Sequence, residues 1–149
     1  MLEIQKIMQP KNFKYEKLHK KKFQKFKYKT FFLKFGFFAL KSTKSGYISS
    51  YQFKAVKQIL LKNFKKQGKI WFNIFPNIPI TAKPIDVRMG KGKGSTKHWS
   101  FFVPSGFLLL EIFSNLNKMT ILAFLRKGQL KLPIKTKIIF LIKNSFVHS

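Results

Sequence analysis

The stretch SSYQFKAVKQILLKNFKKQGKIWFNIFP, residues 49–76, decides the fold class because its hydrophobic pattern changes from a helical period to an alternating one. Ser49 and Gln52 have the spacing of a capping box, which starts a helix. Apolar residues then recur at helical spacing, with lysines largely on the other faces, and the pattern stops at Gly68. Lys69–Phe75 alternates and ends at Pro76, as a strand does. The stretch predicts an amphipathic helix of about 17 residues followed by a strand.

Outward from this stretch, the chain reads as further short strands and one more helix. The predicted strands are Phe31–Leu40, Ile85–Met89, Trp99–Val103, Phe107–Phe113 and Ile134–Ile142. Lys41–Gly46 reads as a turn and Ile78–Lys83 as a loop bounded by prolines. Asn117–Leu130 has helical length, with Asn117 or Asn115 as its cap, and Gly128 weakens its end. We therefore predict an α+β domain over residues 31–149, a mainly antiparallel sheet with two packed helices.

The charge balance indicates a polyanionic partner. The chain carries 31 Lys and Arg residues against four Asp and Glu, a formal net charge of +27 over 149 residues. Such a surface repels itself unless a polyanion neutralises it, and counterion release then supplies much of the affinity for nucleic acid. Composition therefore favours nucleic acid, with anionic membranes and acidic proteins as the remaining classes of partner.

Lysine dominates the basic residues, because only Arg88 and Arg126 are arginine. Phe, Ile and Asn are frequent as well, and all of these residues have AT-rich codons. The bias is typical of an AT-rich genome, such as that of an organelle. An arginine kept against this bias is of interest, since its planar fork makes bidentate phosphate contacts that lysine does not.

Residues 1–30 are very basic and have no clean hydrophobic period. Lysines alternate with aromatic residues at short spacing, among them Phe13, Tyr15, Phe23, Phe26 and Tyr28. A lone charge run is usually a solvated tail, but this interleaving favours an extended arm that lies on RNA and orders on binding. We predict a basic N-terminal arm over residues 1–30.

A glycine-rich basic loop runs Arg88-Met89-Gly90-Lys91-Gly92-Lys93-Gly94. Each glycine permits positive φ and a close approach of the backbone to phosphate, and each lysine supplies a cation. Arg88 at the base can fork onto a phosphate or a guanine edge. Neither the P-loop pattern nor G-x-G-x-x-G fits at Gly90, so this is not a nucleotide cradle. The plain alternative is a flexible, solvated hairpin tip.

Catalytic, metal and membrane functions find little support. The four acids form no pair in a short motif, His19, His98 and His148 lack ligand spacing, and there is no cysteine. We expect His98 to be a partly exposed strand residue and Trp71 a core residue. No apolar run approaches the roughly 18 residues that span a bilayer, and the start shows no targeting segment. We predict no catalytic residue, metal or cofactor.

Four blocks of the sequence resemble the family of bacterial-type large ribosomal subunit protein sixteen. They are MQPK with KLHK (8–11 and 17–20), KQGKIWFNIFP (66–76), PITAKP with VRMGKGKG (79–84 and 87–94), and KLPIKT (131–136). The blocks occur in family order and span nearly the whole chain. The resemblance implies a hammerhead-type α+β ribosomal protein fold. It implies a structural role in translation, in which large-subunit rRNA is bound, late assembly is helped and tRNA is positioned near the A site and the peptidyl-transferase centre.

The resemblance also implies which residues meet RNA. The loop over residues 88–98 is expected to face rRNA and the A- and P-site tRNAs, and neighbouring ribosomal proteins are further partners. No membrane or small-molecule substrate is expected. The expected rRNA contacts are basic residues along the chain: Lys11, Lys14, Lys17, His19, Lys20, Lys41, Lys65, Lys66, Lys69, Lys83 and Lys135.

Three questions stay open at this point. Codon bias favours a mitochondrial ribosome, with a plastid or bacterial ribosome as the alternative. The segment 107–130 is more apolar than the family pattern, so we expect another protein to cover Ile121, Leu122, Phe124 and Leu125. The rival functions are a membrane-surface basic protein, which predicts a helix with a fully exposed apolar face, and an RNA-modifying enzyme.

Overall fold

The computed structural model describes residues 10, 14–15, 17–19, 33–64 and 67–141. The strand pairs found in this part of the chain are antiparallel. In chain order its elements are β1 (Phe38–Ser42), β2 (Gly46–Ser49), α1 (Ser50–Phe64), β3 (Gly68–Phe72), β4 (Ile78–Ala82), β5 (Ser95–Val103), β6 (Leu108–Ser114), α2 (Lys118–Gln129) and β7 (Thr136–Phe140).

The strands form two sheets. The larger has the order β3-β6-β1-β7 and the smaller has the order β2-β5-β4. β1 lies between β6 and β7, so distant parts of the chain meet on it. The predicted α+β class, with antiparallel pairing and two helices, is confirmed. The strands are divided between two sheets, whereas the sequence indicated one.

The first helix begins where the capping box predicts. The Ser49 N–H donates to Gln52 Oε1 at 3.0 Å, and the Gln52 N–H donates to Ser49 Oγ at 3.3 Å. This reciprocal pair satisfies two N–H groups that the first helical turn leaves open. The helix ends at Phe64, whereas the sequence predicted its end at Gly68, which is the first residue of β3. Its buried face is Ser50, Phe53, Val56, Leu60 and Phe64.

The second helix packs against the first. Ile121 and Leu125 are fully buried, and the Phe124 ring meets the Phe64 ring edge-on at 5.4 Å between centroids. Leu122 is half-buried. The expectation that another protein covers this apolar face is wrong for Ile121 and Leu125, because the chain itself buries them; it stays a prediction for Leu122 and Phe124. The same packing leaves neither helix with the fully exposed apolar face that a membrane-surface protein requires.

Two predictions in the middle of the chain are wrong, and they are linked. Ile78–Ala82 is the strand β4 and not a loop. β4 lies at the edge of its sheet, where a strand tolerates a proline such as Pro79 because its N–H is not needed for pairing on the open side. Ile85–Met89 is turn and bend, not a strand, because β5 takes β4 as its partner. Residues 83–94 are therefore the connection of the β4–β5 hairpin.

The strand boundaries near the ends of the chain also differ from prediction. β1 begins at Phe38, well after Phe31, and β2 was not foreseen, since Gly46 was placed in a turn. The last strand is Thr136–Phe140, shorter than predicted, and Ile142 lies outside the described residues, as does most of the predicted arm. Asn117 caps α2 as predicted, with its Oδ1 accepting from the Met119 N–H at 3.3 Å.

The core lies between the helices and the two sheets, both of which contribute buried side chains. Leu40, Leu110 and Ile112 of the larger sheet are buried together with Val56 and Leu60 of α1. Trp71 is half-buried on β3, so it is a sheet residue but not a core residue. Within the described ranges, no helix combines the length and apolar character needed to cross a membrane.

Candidate nucleic-acid interface

The β4–β5 connection carries the glycine-rich loop away from the body of the protein. Residues 85–93 are all exposed. Three successive residues at the tip take positive φ: Gly90 at 102°, Lys91 at 52° and Gly92 at 78°. A side chain placed on Gly90 or Gly92 would meet nothing within 4 Å, so these glycines serve the backbone path and not a close packing contact.

The base of this loop is anchored by one side-chain hydrogen bond and by close backbone contacts. Lys83 Nζ donates to the Gly90 carbonyl at 2.6 Å, which ties the first residue after β4 to the tip. Gly94 lies against the backbone of Ala82, where any Cβ would collide with the Ala82 carbonyl. The pairing of Ala82 with Ser95 closes the hairpin directly beside it. These contacts fix the base of the loop, while its tip is exposed to solvent.

The exposed side chains of the β4–β5 connection are both cationic and apolar. Arg88, Lys91 and Lys93 are exposed. Lys93 Nζ donates to the Leu18 carbonyl at 2.6 Å, which places Leu18 beside the loop. Ile85 is 99% exposed and Met89 is fully exposed, although both are apolar. The alternation over Ile85–Met89 predicted a strand, so the exposure of Ile85 was not predicted, and no local signal indicates it.

The other predicted RNA contacts do not form one cluster. Lys83 belongs to the loop, Lys69 lies on edge strand β3, and Lys41 and Lys135 lie together near the start of β7, the opposite edge of that sheet. Lys14, Lys17 and His19 are exposed near the loop through Leu18. Four predicted contacts lie outside the described residues: Lys11, Lys20, Lys65 and Lys66.

Lys137 is a further exposed cation, which the sequence did not indicate as an RNA contact. It stands directly opposite Lys41 in the β1–β7 ladder. Like charges at this position repel, so an anion between them lowers the free energy of the folded chain. Both lysines line a groove of about 620 Å³ that also includes Thr43, Ser105 and Gly106. Their pairing depends on a strand contact across the whole chain, which no local pattern reveals.

The buried acid Glu111 is hydrogen-bonded to backbone N–H groups and to the Asn73 side chain. Its Oε2 accepts from the N–H groups of Lys34, Phe35 and Gly36 at 2.9, 2.8 and 3.2 Å. Burial by itself raises the pKa of Glu111, but these three donors and the Asn73 amide outweigh burial, so the pKa lies below its ordinary value. The carboxylate stays ionised and fixes residues 34–36 onto β6.

The other titratable groups of the described residues are not gathered into a metal site. His98 is half-buried on β5, as predicted, and its ring lies 6.5 Å from the Tyr51 ring. Over the described ranges, no group of three or more His, Asp or Glu side chains is placed to hold a metal ion. The arrangement can bind anions and position them, which agrees with the charge of the chain.

Comparison with known proteins identifies the family. The sequence matches the family described as ribosomal protein L16p/L10e over residues 10–139. It is similar to the large ribosomal subunit protein uL16 of Cereibacter sphaeroides, with 37% identity over 89% of this chain and 96% of that protein. The uL16 proteins of Blochmanniella pennsylvanica (40% identity, 89% of this chain, 98% of theirs) and Karelsulcia muelleri (39%, 93% and 100%) are also similar. The chain therefore belongs to the ribosomal protein L16p/L10e family, whose members are structural components of the ribosome and not enzymes.

Proposed function

We propose that this chain is a structural protein of the large ribosomal subunit, where it binds rRNA, helps late assembly and positions tRNA near the A site and the peptidyl-transferase centre. The observation that carries this proposal is the β4–β5 connection, a cationic projection anchored at its base by Lys83 and Gly94. The similar bacterial proteins are named large ribosomal subunit proteins, which supports the assignment of the subunit.

The rRNA-binding part of the proposal follows from charge and its placement. With a net charge of +27, the free chain repels itself, and binding to a polyanion removes this repulsion. Neutralising the phosphates of RNA also releases their counterions, which adds to the affinity. The contact residues proposed in the sequence analysis remain proposals, with Lys137 added to Lys41 and Lys135. We also keep the division into an arm over residues 1–30 and a single rRNA-binding domain over 31–149 as part of this proposal.

The tRNA-positioning part rests on the shape of the loop. Lys91 and Lys93 stand at the tip and Arg88 nearer the base, so a polyanion reaching the loop meets three cations in one projection. Met89 and Ile85 add exposed apolar area that can contact bases or sugars. With Asp86 its single acid, the loop supplies position and charge and not proton-transfer chemistry.

We further propose that the ribosome in question is mitochondrial. The support is compositional, because all basic residues except Arg88 and Arg126 are lysine, whose codons are AT-rich. A plastid or bacterial ribosome is the alternative, and the similar proteins named above are bacterial. Cell fractionation followed by detection of the protein in the mitochondrial ribosome fraction distinguishes these cases.

The loop assignment is tested by replacing Lys91 and Lys93 with alanine. We expect A-site tRNA binding by large subunits that carry this variant to weaken, while the free energy of unfolding changes by less than about 0.5 kcal/mol, as is usual for exposed positions. The matched control is Lys62→Ala with Lys127→Ala, two exposed lysines on the helices. An equal loss of soluble protein and tRNA binding would instead make the loop a structural element.

A further inference from the structure

The larger sheet has a second face, opposite the helices, that carries lysines and aromatic rings. In β3, Ile70 and Phe72 pack on the core, so the alternating residues Lys69 and Trp71 lie on the other side. The same alternation places Phe113 of β6 and Lys137 of β7 there, and the Glu111 contacts hold residues 34–36 across it. We call this surface the lysine–aromatic face: Lys34, Phe35, Lys69, Trp71, Phe113 and Lys137.

We propose that the lysine–aromatic face binds single-stranded RNA by stacking bases on its rings, as a second RNA surface separate from the β4–β5 loop. The proposal rests on the RNA-binding role proposed above and extends it to a different sheet. The loop belongs to the β2-β5-β4 sheet, whereas this face belongs to the β3-β6-β1-β7 sheet, so the two surfaces share no strand.

The aromatic residues of the face are arranged to receive a base. The Phe35 ring stacks on the Trp71 ring with 5.6 Å between centroids and 25° between planes, and Phe35 is still 58% exposed. Phe113 is 37% exposed on the neighbouring strand. The middle of this face is covered, since Ala39 and Glu111 are buried in it, so Phe35 and Phe113 are its exposed rings. Many RNA-binding proteins stack unpaired bases on exposed aromatic rings of a sheet, because every base has a π-face.

The charges of the face favour RNA over a protein as the occupant. Lys34, Lys69 and Lys137 are exposed. Glu111, the acid of β6, does not oppose them at the surface, because it is only 2% exposed and its carboxylate is held by three backbone N–H groups. Lysine is depleted in the cores of protein interfaces and enriched on surfaces that track phosphates.

The two tryptophans of the chain make a direct test possible. In the full chain carrying Trp99→Phe, Trp71 is the sole tryptophan, and its emission reports on the lysine–aromatic face. We expect a 12-nucleotide oligouridylate to quench this emission as it saturates the protein. The converse variant, Trp71→Phe, leaves Trp99 as the reporter, and we expect a clearly smaller change. Binding itself is followed independently by the fluorescence anisotropy of a labelled copy of the RNA.

Affinity gives a second readout that does not depend on tryptophan. Replacing Phe35 and Phe113 with alanine is expected to raise the Kd for the oligonucleotide at least about tenfold, since stacking contributes strongly per base. Tyr51→Ala with Phe75→Ala is the matched control, because these rings are also exposed but lie off this face. Thermal unfolding of both double variants checks that the fold is kept.

Each other outcome overturns the proposal in a distinguishable way. If the RNA binds by anisotropy while Trp71 emission and the Phe35/Phe113 variant behave like their controls, the face is not an RNA surface, although the proposed function stands. If no RNA binds at all, the proposed function fails and this inference fails with it. If ultraviolet cross-linking of purified large subunits joins the face to a protein peptide and not to nucleotides, the occupant is a protein.

Discussion

Glu111 shows how a single residue fixes part of the fold in a chain that has few acids. Its carboxylate accepts hydrogen bonds from the three successive backbone N–H groups of residues 34–36. Successive N–H groups of this kind often bind anions, and here the anion is a side chain of the same protein. Those N–H groups are thereby removed from strand pairing, which explains why β1 begins at Phe38 and not at Phe31. The same contacts set the orientation of Phe35 over Trp71.

Removal of the Glu111 charge is expected to destabilise the chain. Glu111→Gln should lower the free energy of unfolding at pH 7 by about 1–3 kcal/mol, because buried donors lose an ionised acceptor. The measurement is urea unfolding followed by circular dichroism, with Asp86→Asn as the control, since Asp86 is exposed. An effect no larger than that of the control would show that the carboxylate contributes nothing to stability.

The difference in the free energy of unfolding between the wild type and Glu111→Gln should depend on pH in a defined direction. The pKa of Glu111 is lower in the folded chain than in the unfolded one, so its stabilisation is fully present above the unfolded value of about 4.3 and is lost as pH falls through the folded value. The gap in stability between the wild type and Glu111→Gln should therefore close on acidification. A gap that is constant from pH 7 to pH 3 would contradict this assignment.

Gly94 is a glycine that the hairpin requires for space. A Cβ at Gly94 would collide with the Ala82 carbonyl and approach the Lys83 nitrogen to 2.8 Å. We expect Gly94→Ala to lower the free energy of unfolding by about 1–3 kcal/mol, the usual range for overpacking. Ser95→Ala, one residue further on and exposed, is the control in the same thermal unfolding assay. Equal midpoints for the two variants would refute the close contact.

At the scale of elements, the sequence predicted what local signals determine. Ser49 and Gln52 marked the start of α1, and Asn117 marked the start of α2, because caps act through residues two or three positions away. The identity of β4 depended instead on its position at a sheet edge, where Pro79 is tolerated. Ile85 and Val87 alternate as a strand would, but the partner strand they needed was already paired.

The candidate RNA-binding surfaces likewise include one that local sequence predicts and one that depends on strand pairing. The loop over residues 88–94 was predicted from its glycines and lysines, and the structure adds its anchoring by Lys83 and its position between β4 and β5. The lysine–aromatic face was not predicted, because it depends on the register between four strands that are far apart in sequence. The pairing of Lys41 with Lys137 was missed for the same reason.

Gly128 is expected to be replaceable, although it lies in the contact between the two helices. An added Cβ would meet Leu60 Cδ2 at 3.5 Å and Val56 Cγ1 at 3.8 Å, which is ordinary van der Waals contact. Since alanine is the better helix former, Gly128→Ala should raise the free energy of unfolding by roughly 0.5–1 kcal/mol. Thermal unfolding measures this, and Gly128→Leu should be destabilising. A destabilised alanine variant would mean that the helices are packed more tightly than described.

In the molecule as a whole, the two helices share one hydrophobic core with both sheets, and the chain carries a large excess of positive charge. The helices cover each other's apolar residues, among them Leu60 and Leu125, so packing inside the chain is complete there without a partner. The excess of 27 positive charges is not balanced inside the chain. A buried core together with a large unbalanced positive charge is expected of a component that functions inside a ribonucleoprotein particle.

Sedimentation of the tagged full chain in a sucrose gradient tests the central claim, membership of the large ribosomal subunit. Extracts are prepared under conditions that separate the subunits, and the protein is detected in each fraction. The account predicts that the protein sediments with the large-subunit peak and moves to the top of the gradient after ribonuclease digestion. Sedimentation at the top without digestion, or with the small subunit, would contradict it.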